Sequence, residues 1–314
     1  MGYITGGDKV IEYKRMLVPL DGSELAEVVF VYAKELAGRL GIDIILFHVC
    51  APEEDKLLPM RRAYIERSVE TIRRQSEELQ KKTGTQPGSK AIEVRGEVAT
   101  GYPAEEIIRY AEANDVDLIL MATHGRSGIK RWTMGSVADK VLRASKVPVW
   151  LVRAELPKEI VYDQLPTRKI LVLLDGSELA ETVLPHVEAV AKQRGAELVD
   201  VILLSVCEPA LLPSYYPAAM PLNWDDHVAK CKRSNGEYLA KIEKRLKEAG
   251  LRVRSEVLVG KPAEAIVDYV SKNPVNLIVM STHGRSGPGR WVLGSVAEKV
   301  LLGVSSPILL VRPH

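Results

Sequence analysis

The stretch ATHGRSGIKRWTMGSVADKV occupies residues 122–141, and STHGRSGPGRWVLGSVAEKV occupies 281–300. Fourteen of the twenty aligned positions are identical, with no gap. A duplicated core helix would need only its hydrophobic pattern to recur, whereas here Gly, Ser, His and Arg recur as well. A second landmark, LDGSELAE at 20–27, returns unchanged at 174–181, so the cassette is the tail of a long repeat. The offset is 154 at this landmark and 159 at the cassette, which leaves five extra residues in the second copy. Each copy spans about 145 residues, an ordinary length for one domain. The expected domains are 14–153 and 168–312, joined by the charged, proline-bearing linker AELPKEIVYDQLPT at 154–167.

Within a copy, apolar runs alternate with longer amphipathic stretches. RMLVPL (15–20), IDIILFHV (42–49), AIEVR (91–95), DLILMA (117–122) and VPVWLV (147–152) read as strands. Helical patterns fall between them at about 23–40, 61–83, 103–114 and 135–145, with Pro103 suited to a first turn and Gly84 just past a helix end. The second copy repeats the order, with strands near 169–174, 198–206, 252–258, 276–281 and 307–311. Nearly continuous Val, Ile and Leu marks strands buried on both faces. The expected fold class is α/β: two tandem, doubly wound, Rossmann-like domains, each a five-stranded parallel sheet flanked by helices.

Bulk properties narrow the function classes. The 314 residues are 46% apolar and 27% charged with net charge +2, which suits a globular chain and gives no reason to expect a nucleic-acid partner. No apolar run approaches the roughly 18 residues that span a bilayer, so no membrane partner is expected. The opening MGYITGGDKVIEYKRM lacks the apolar core of a secretory signal, and Gly6 stands where a myristoylation pattern needs Ser or Thr, so cytoplasm is the expected location. Three cysteines, Cys50, Cys207 and Cys231, form no CxxC pair and suggest no disulfide framework. Cys50 and Cys207 are expected as small packed residues at matching strand ends.

The cassette begins where the fourth strand ends and runs into the last helix. Ligands of open α/β sheets bind beyond the carboxyl ends of the strands, near the switch in strand order. Gly125 and Gly128 allow a backbone path with amide N–H groups turned inward. Gly135 and Ser136 then open a helix whose first N–H groups attract an anion, and Ser136 adds a hydroxyl. Arg126, Lys130 and Arg131 bring positive charge to the same loop, which points to phosphate. Nine residues separate Gly125 from Gly135 and also Gly284 from Gly294, and this repetition favours a binding role over a merely structural turn. No GxxxxGK[ST] or GxGxxG follows a first strand. Asp21 lies at the same sheet edge, placed to accept from a ribose or a base amino group, while Ser23 suits a helix cap.

These residues carry a resemblance. Both halves resemble the universal stress protein family, whose ATP-binding members carry Gly-x2-Gly-x9-Gly-Ser/Thr after the fourth strand. The pattern falls on Ala122, Gly125, Gly135 and Ser136, and again on Ser281, Gly284, Gly294 and Ser295, with Ala and Ser in place of the first glycine. The resemblance implies an adenine nucleotide alpha hydrolase-like fold and ATP as ligand, with Mg²⁺ or Mn²⁺ carried mainly by the phosphates. It implies Asp21 and Asp175 as the early aspartates and the backbone near Val49 and Val206 as base contacts. His124, Arg126, Gly128 and Val137, with His283, Arg285, Gly287 and Val296 in the second copy, complete the expected nucleotide sites. It further implies that VPVWLV and SPILLV pair antiparallel, giving an intrachain pseudo-dimer, with a homodimer of tandem chains as a further assembly.

Two functional readings remain open at this point. One is a nucleotide-responsive stress-response protein with at most slow ATP hydrolysis, no catalytic residues being assigned. The other is an interaction protein of the same fold that acts through its surface without nucleotide. His124 and His283 lack metal-ligand company, so no metal site is expected. Trp132 and Trp291 are expected to pack the loop on its own domain. The proline- and tyrosine-rich CEPALLPSYYPAAMPLNWDDH at 207–227 reads as a lid or a plain surface loop. The loops also differ: GRSGIKRW in the first copy becomes GRSGPGRW in the second, so Lys130 gives way to Gly289 and Ile129 to Pro288. Ser281 is expected to offset part of that loss with its hydroxyl.

Overall fold

The computed structural model describes residues 11–83, 91–123, 134–153, 168–208, 224–284 and 293–313. The first half runs β1 (Arg15–Leu20), α1 (Glu24–Glu27), α2 (Val29–Leu40), β2 (Asp43–Cys50), α3 (Leu58–Thr83) and β3 (Val94–Thr100). It continues through α4 (Pro103–Ala113), β4 (Leu118–Ala122), α5 (Ser136–Ala144) and β5 (Val149–Val152). The second half runs β6 (Arg168–Leu173), α6 (Glu178–Glu181), α7 (Leu184–Arg194), β7 (Val199–Cys207), α8 (Trp224–Glu248) and β8 (Arg252–Val259). It closes with α9 (Pro262–Lys272), β9 (Leu277–Ser281), α10 (Ser295–Gly303) and β10 (Ile308–Val311). Residue 84, the 154–167 linker and most of the 207–227 segment lie outside the described residues.

All ten strands form one sheet in the order β3-β2-β1-β4-β5-β10-β9-β6-β7-β8. Each half is parallel throughout, and its order reverses between β1 and β4 or between β6 and β9. This is the doubly wound arrangement. Every residue of β4 (LILMA) and β9 (LIVMS) is buried, which is why those runs carry no polar alternation. Helices α2, α3, α7 and α8 cover one face and α4, α5, α9 and α10 the other, each over a hydrophobic layer that draws on both halves.

Two expected elements differ from the sequence reading. The helix placed at 23–40 is two helices, because Ser23 caps only the short α1 and the chain turns at Val28 into α2. The strand placed at 91–95 is β3 at Val94–Thr100, fixed by its parallel register with β2 from Ile44↔Val94 to Cys50↔Thr100. Its sequence VRGEVAT carries little apolar signal, since only Val94 in it is fully buried. Gly96 serves the packing there: a Cβ would stand 2.3 Å from Ile65 Cγ2, so glycine lets α3 lie on the strand.

The halves join through β5 and β10, which pair antiparallel with Leu309 opposite Trp150 and Ile308 opposite Leu151. Pairing satisfies two apolar edges that would otherwise template aggregation. Reciprocal arginines flank the junction. Arg153 donates to Leu302 O at the carboxyl end of α10, at 2.8 Å. Arg312 donates to Arg143 O and Ala144 O at the end of α5, at 3.0 and 3.1 Å. Each cation meets the negative end of the other half's helix. Nearby, Glu35 of α2 accepts from Arg39 at 2.9 Å and from Arg168 of the second half at 2.6 Å. Tyr13 Oη lies 2.8 Å from His186 Nδ1, and Gln193 bonds both the N–H and the carbonyl of Tyr13.

One sequence expectation is corrected. Cys207 is no isolated packed thiol: it is bonded to Cys231 in α8, 24 residues away, with Cα atoms 5.9 Å apart. The contact depends on where α8 lies against β7, which spacing along the chain does not encode. Cys50 does remain a buried free thiol.

The Glu35 carboxylate is 8% exposed and stands between guanidiniums that are 12% and 18% exposed. Glu35→Gln leaves those cations short of countercharge, and a loss of about 3 kcal/mol in unfolding free energy is expected. Denaturant titration checks this; a change within roughly 0.5 kcal/mol, the size of an ordinary surface substitution, would show that the pair does not bind the halves together.

Candidate functional site

Two cavities open at the carboxyl edge of the sheet, one per half, beside each switch in strand order. The first is about 310 Å³ and the second about 280 Å³, near the lower bound for small-molecule pockets. Their walls correspond: Asp21 with Asp175, Val49 with Val206, Pro103 with Pro262, and Ile107 with Ile266. The cassette residues Ala122, Gly135, Ser136 and Val137 line the first, and Ser281, His283, Gly284, Gly294, Ser295 and Val296 line the second. His124, Arg126 and Gly128, with Gly125, lie outside the described residues, as do Arg285 and Gly287; so do Lys130, Arg131, Trp132, Pro288, Gly289 and Trp291.

The aspartate is set by a local turn. Asp21 Oδ1 accepts from Ser23 N at 2.9 Å and from Ser23 Oγ at 2.7 Å, while Ser23 Oγ accepts from Ala26 N at 3.2 Å. Asp175, Ser177 and Ala180 repeat the arrangement at 3.0, 2.6 and 3.2 Å. Ser23 therefore does cap, and through its cap it fixes the carboxylate at the cavity wall. Gly22 and Gly176 sit inside these turns at φ 81° and 85°, where a side chain would be strained.

Opposite stands a helix start. Gly135 and Gly294 precede α5 and α10 in extended conformation, and no side chain caps either helix. The first N–H groups of each helix therefore face the cavity without an intrahelical acceptor. Gly135 N donates to Thr123 O, and Gly294 N to Thr282 O, both at 2.9 Å, which pins together the two ends of the cassette loop. The glycine requirement here is proximity rather than handedness. A Cβ at Gly294 would stand 3.2 Å from Thr282 O, and one at Gly284 would stand 2.1 Å from Asp175 Oδ2.

The first glycine of the family pattern is replaced without bulk. Ala122 and Ser281 end their strands almost fully buried. Ser281 Oγ donates to His283 O at 2.5 Å, so its hydroxyl closes the local turn and is not the ligand donor expected from the sequence. His283 Nδ1 lies 3.0 Å from Thr282 Oγ1, and its Nε2 is buried with no hydrogen-bond partner among the described residues.

Sequence reasoning missed several wall residues. Phe47, Met121 and Glu54 line the first cavity, and Leu204, Met280 and Glu208 the second. The apolar ones read only as core, because inward strand positions beside a cavity look like any buried position. Behind the first wall, Tyr64 Oη donates to Glu27 Oε1 at 2.9 Å. Burial, then that bond and the Glu27 charge, push the Tyr64 phenol far above its ordinary range, so it stays protonated. Burial and the Glu181 charge do the same for Tyr238.

The profile of the Universal stress protein family matches residues 12–153 and 166–312, nearly the whole chain and once per half. The chain belongs to the universal stress protein family. Universal stress protein MJ0531 of Methanocaldococcus jannaschii is 32% identical over 145 residues, covering 46% of this chain and 82% of that protein. Universal stress protein Slr1230 of Synechocystis is 25% identical over 321 residues, covering 95% of this chain and all of that one. The crystal structure of a universal stress protein from Archaeoglobus fulgidus superposes with a TM-score of 0.68 at 22% identity, covering 96% and 99% of the two chains. That likeness concerns the fold alone. No helix among the described residues is long and apolar enough to cross a membrane.

The glycine constraint gives a paired expectation. Gly284→Ala must push the Asp175 carboxylate off its serine, with a loss of roughly 1–3 kcal/mol. Gly236, in α8 with open space around it, is the control: Gly236→Ala should gain up to about 1 kcal/mol. Thermal unfolding of both variants checks the pair, and an unchanged Gly284→Ala would show that the carboxylate has room to move.

Proposed function

We propose that this universal stress protein binds adenine nucleotide, ATP foremost, in both cavities and works as a nucleotide-responsive stress-response protein. The observation that carries the reading is the twice-built pairing of a turn-fixed aspartate with an uncapped helix start across a cavity of ligand size. Asp21 and Asp175 accept hydrogen bonds from ribose hydroxyls or the base amino group. The backbone at Val49 and Val206 meets the base. The helix N–H groups and the Ser136 and Ser295 hydroxyls hold phosphate oxygens, where a helix dipole favours negative charge. Gly125, Gly128 and Arg126, with Gly284, Gly287 and Arg285, complete the phosphate loops, beside His124 and His283. Val137 and Val296 give the second helical N–H.

Mg²⁺ or Mn²⁺ enters on the phosphates. Binding suffices for this role, and hydrolysis is at most slow. We place the chain in the cytoplasm, with its two halves acting as a pseudo-dimer and a homodimer of tandem chains as the larger assembly.

Calorimetric titration should give micromolar ATP affinity, about −8 kcal/mol. Gly135→Val fills the approach to the first helix start and removes binding there; undiminished heat from the first site would overturn the assignment. The sites are expected to be unequal. The first retains Lys130 and the Ile129 N–H, whereas the second has Gly289 and Pro288, and the engaged Ser281 hydroxyl offers no compensation. Gly294→Val, which retains the first site, should therefore bind ATP more tightly than Gly135→Val; equal affinities would refute the asymmetry.

A further inference from the structure

The two cavities are near copies, but the connection after the second strand of each half differs. Tyr64 lies 14 residues beyond Cys50 (64 − 50), and its counterpart Tyr238 lies 31 beyond Cys207 (238 − 207). The tyrosines correspond because each is raised by burial beside the matching Glu27 or Glu181. The second copy thus carries 17 more residues there (31 − 14), and the Cys207–Cys231 bond falls within that stretch. Counted back from the tyrosine, Cys231 corresponds to Leu57, so the first copy cannot form this bond.

The disulfide sits at the wall of the second cavity. Cys207 ends β7 between Val206 and Glu208, which both line that cavity. Its carbonyl accepts from Gly260 N at 3.0 Å, in the turn that leads to Pro262 on the same wall. Four residues beyond Cys231, Asn235 donates to Ser205 Oγ at 3.2 Å, the next tie between α8 and this end of β7. Cys207 is fully buried, whereas Cys231 is partly exposed. Of the two, Cys231 is therefore the residue open to an incoming thiolate.

We propose that Cys207–Cys231 is a thiol–disulfide exchange site whose state sets the nucleotide affinity of the second cavity and leaves the first unaffected. The proposal rests on the nucleotide reading above. The substrate class is a dithiol reductant. Its thiolate attacks Cys231 Sγ, the S–S bond breaks, and Cys207 leaves as a thiolate that takes up a proton. The second thiol of the reductant then attacks the mixed disulfide and releases Cys231, so the dithiol is oxidised to a disulfide while the protein gains two thiols. With the covalent tie gone, side-chain packing and the Asn235–Ser205 bond are left to hold that end of α8 to β7, and the wall at Val206 loosens. A disulfide in a cytoplasmic chain is ordinarily of this redox-responsive kind.

The test uses the full chain in two backgrounds: Gly135→Val, which keeps the second site, and Gly294→Val, which keeps the first. ATP is titrated into each after oxidation and after excess dithiothreitol, with thiols counted by alkylation and mass. Reduction should free two thiols and weaken ATP binding about ten-fold in Gly135→Val, with Gly294→Val unchanged. Adding Cys231→Ser to Gly135→Val should reproduce the reduced affinity in both conditions. Redox-insensitive ATP binding in Gly135→Val, or no thiols released from folded protein, overturns this proposal alone. No ATP binding in either background and either state overturns the nucleotide reading and this proposal with it.

Discussion

The antiparallel pairing of β5 with β10 is the constraint on which the rest of the molecule depends. Each half alone is a parallel sheet with one apolar edge, and that edge must be covered. Pairing edge to edge converts two five-stranded sheets into one of ten strands and lets a hydrophobic layer run unbroken across each face. It also fixes where the arginines beyond each last strand fall. Arg153 and Arg312 reach the carboxyl ends of α10 and α5, the same two helices whose opposite ends face the cavities. A helix that presents its positive end to the cavity in one half thus meets a cation from the other half at its negative end.

At the cavity itself, local chemistry does most of the positioning. A serine that caps a single helical turn also locks the neighbouring aspartate through two short bonds to one carboxylate oxygen. In the second half the glycine of the cassette lies against that carboxylate, closer than any Cβ would permit. In that half the ends of the first and fourth strands are therefore tied together at the site by a residue that has no side chain. The contact stands although Ser281, and not a glycine, leads the second cassette.

Where the chain repeats a local rule, the sequence was legible. Buried strands such as LILMA and LIVMS show as unbroken apolar runs, and the cassette and LDGSELAE place the cavity through their glycines and caps. Val94–Thr100 was misplaced because an edge strand under a helix needs few apolar residues and here needs Gly96. The break at Val28 was missed because both short helices share one amphipathic pattern. Phe47 and Met121 carry no mark distinguishing a cavity wall from a core. The Cys207–Cys231 bond was illegible for a different reason: its partners meet only after α8 has docked, and no spacing rule records that docking.

The reciprocal arginines have a consequence for how the two halves can change. In a pair of identical chains every substitution appears twice, so an alteration that suits one site is imposed on the other. Joining the halves in one polypeptide removes that obligation while the junction still enforces their common geometry. The halves have diverged at the junction, where Trp150 is answered by Leu309, and away from it, where His48 is answered by Ser205, Lys130 by Gly289, and Leu57 by a bonded Cys231. The shared frame is thus free to hold two sites with different sensitivities, one of them covalently fastened, under a single pseudo-symmetric sheet.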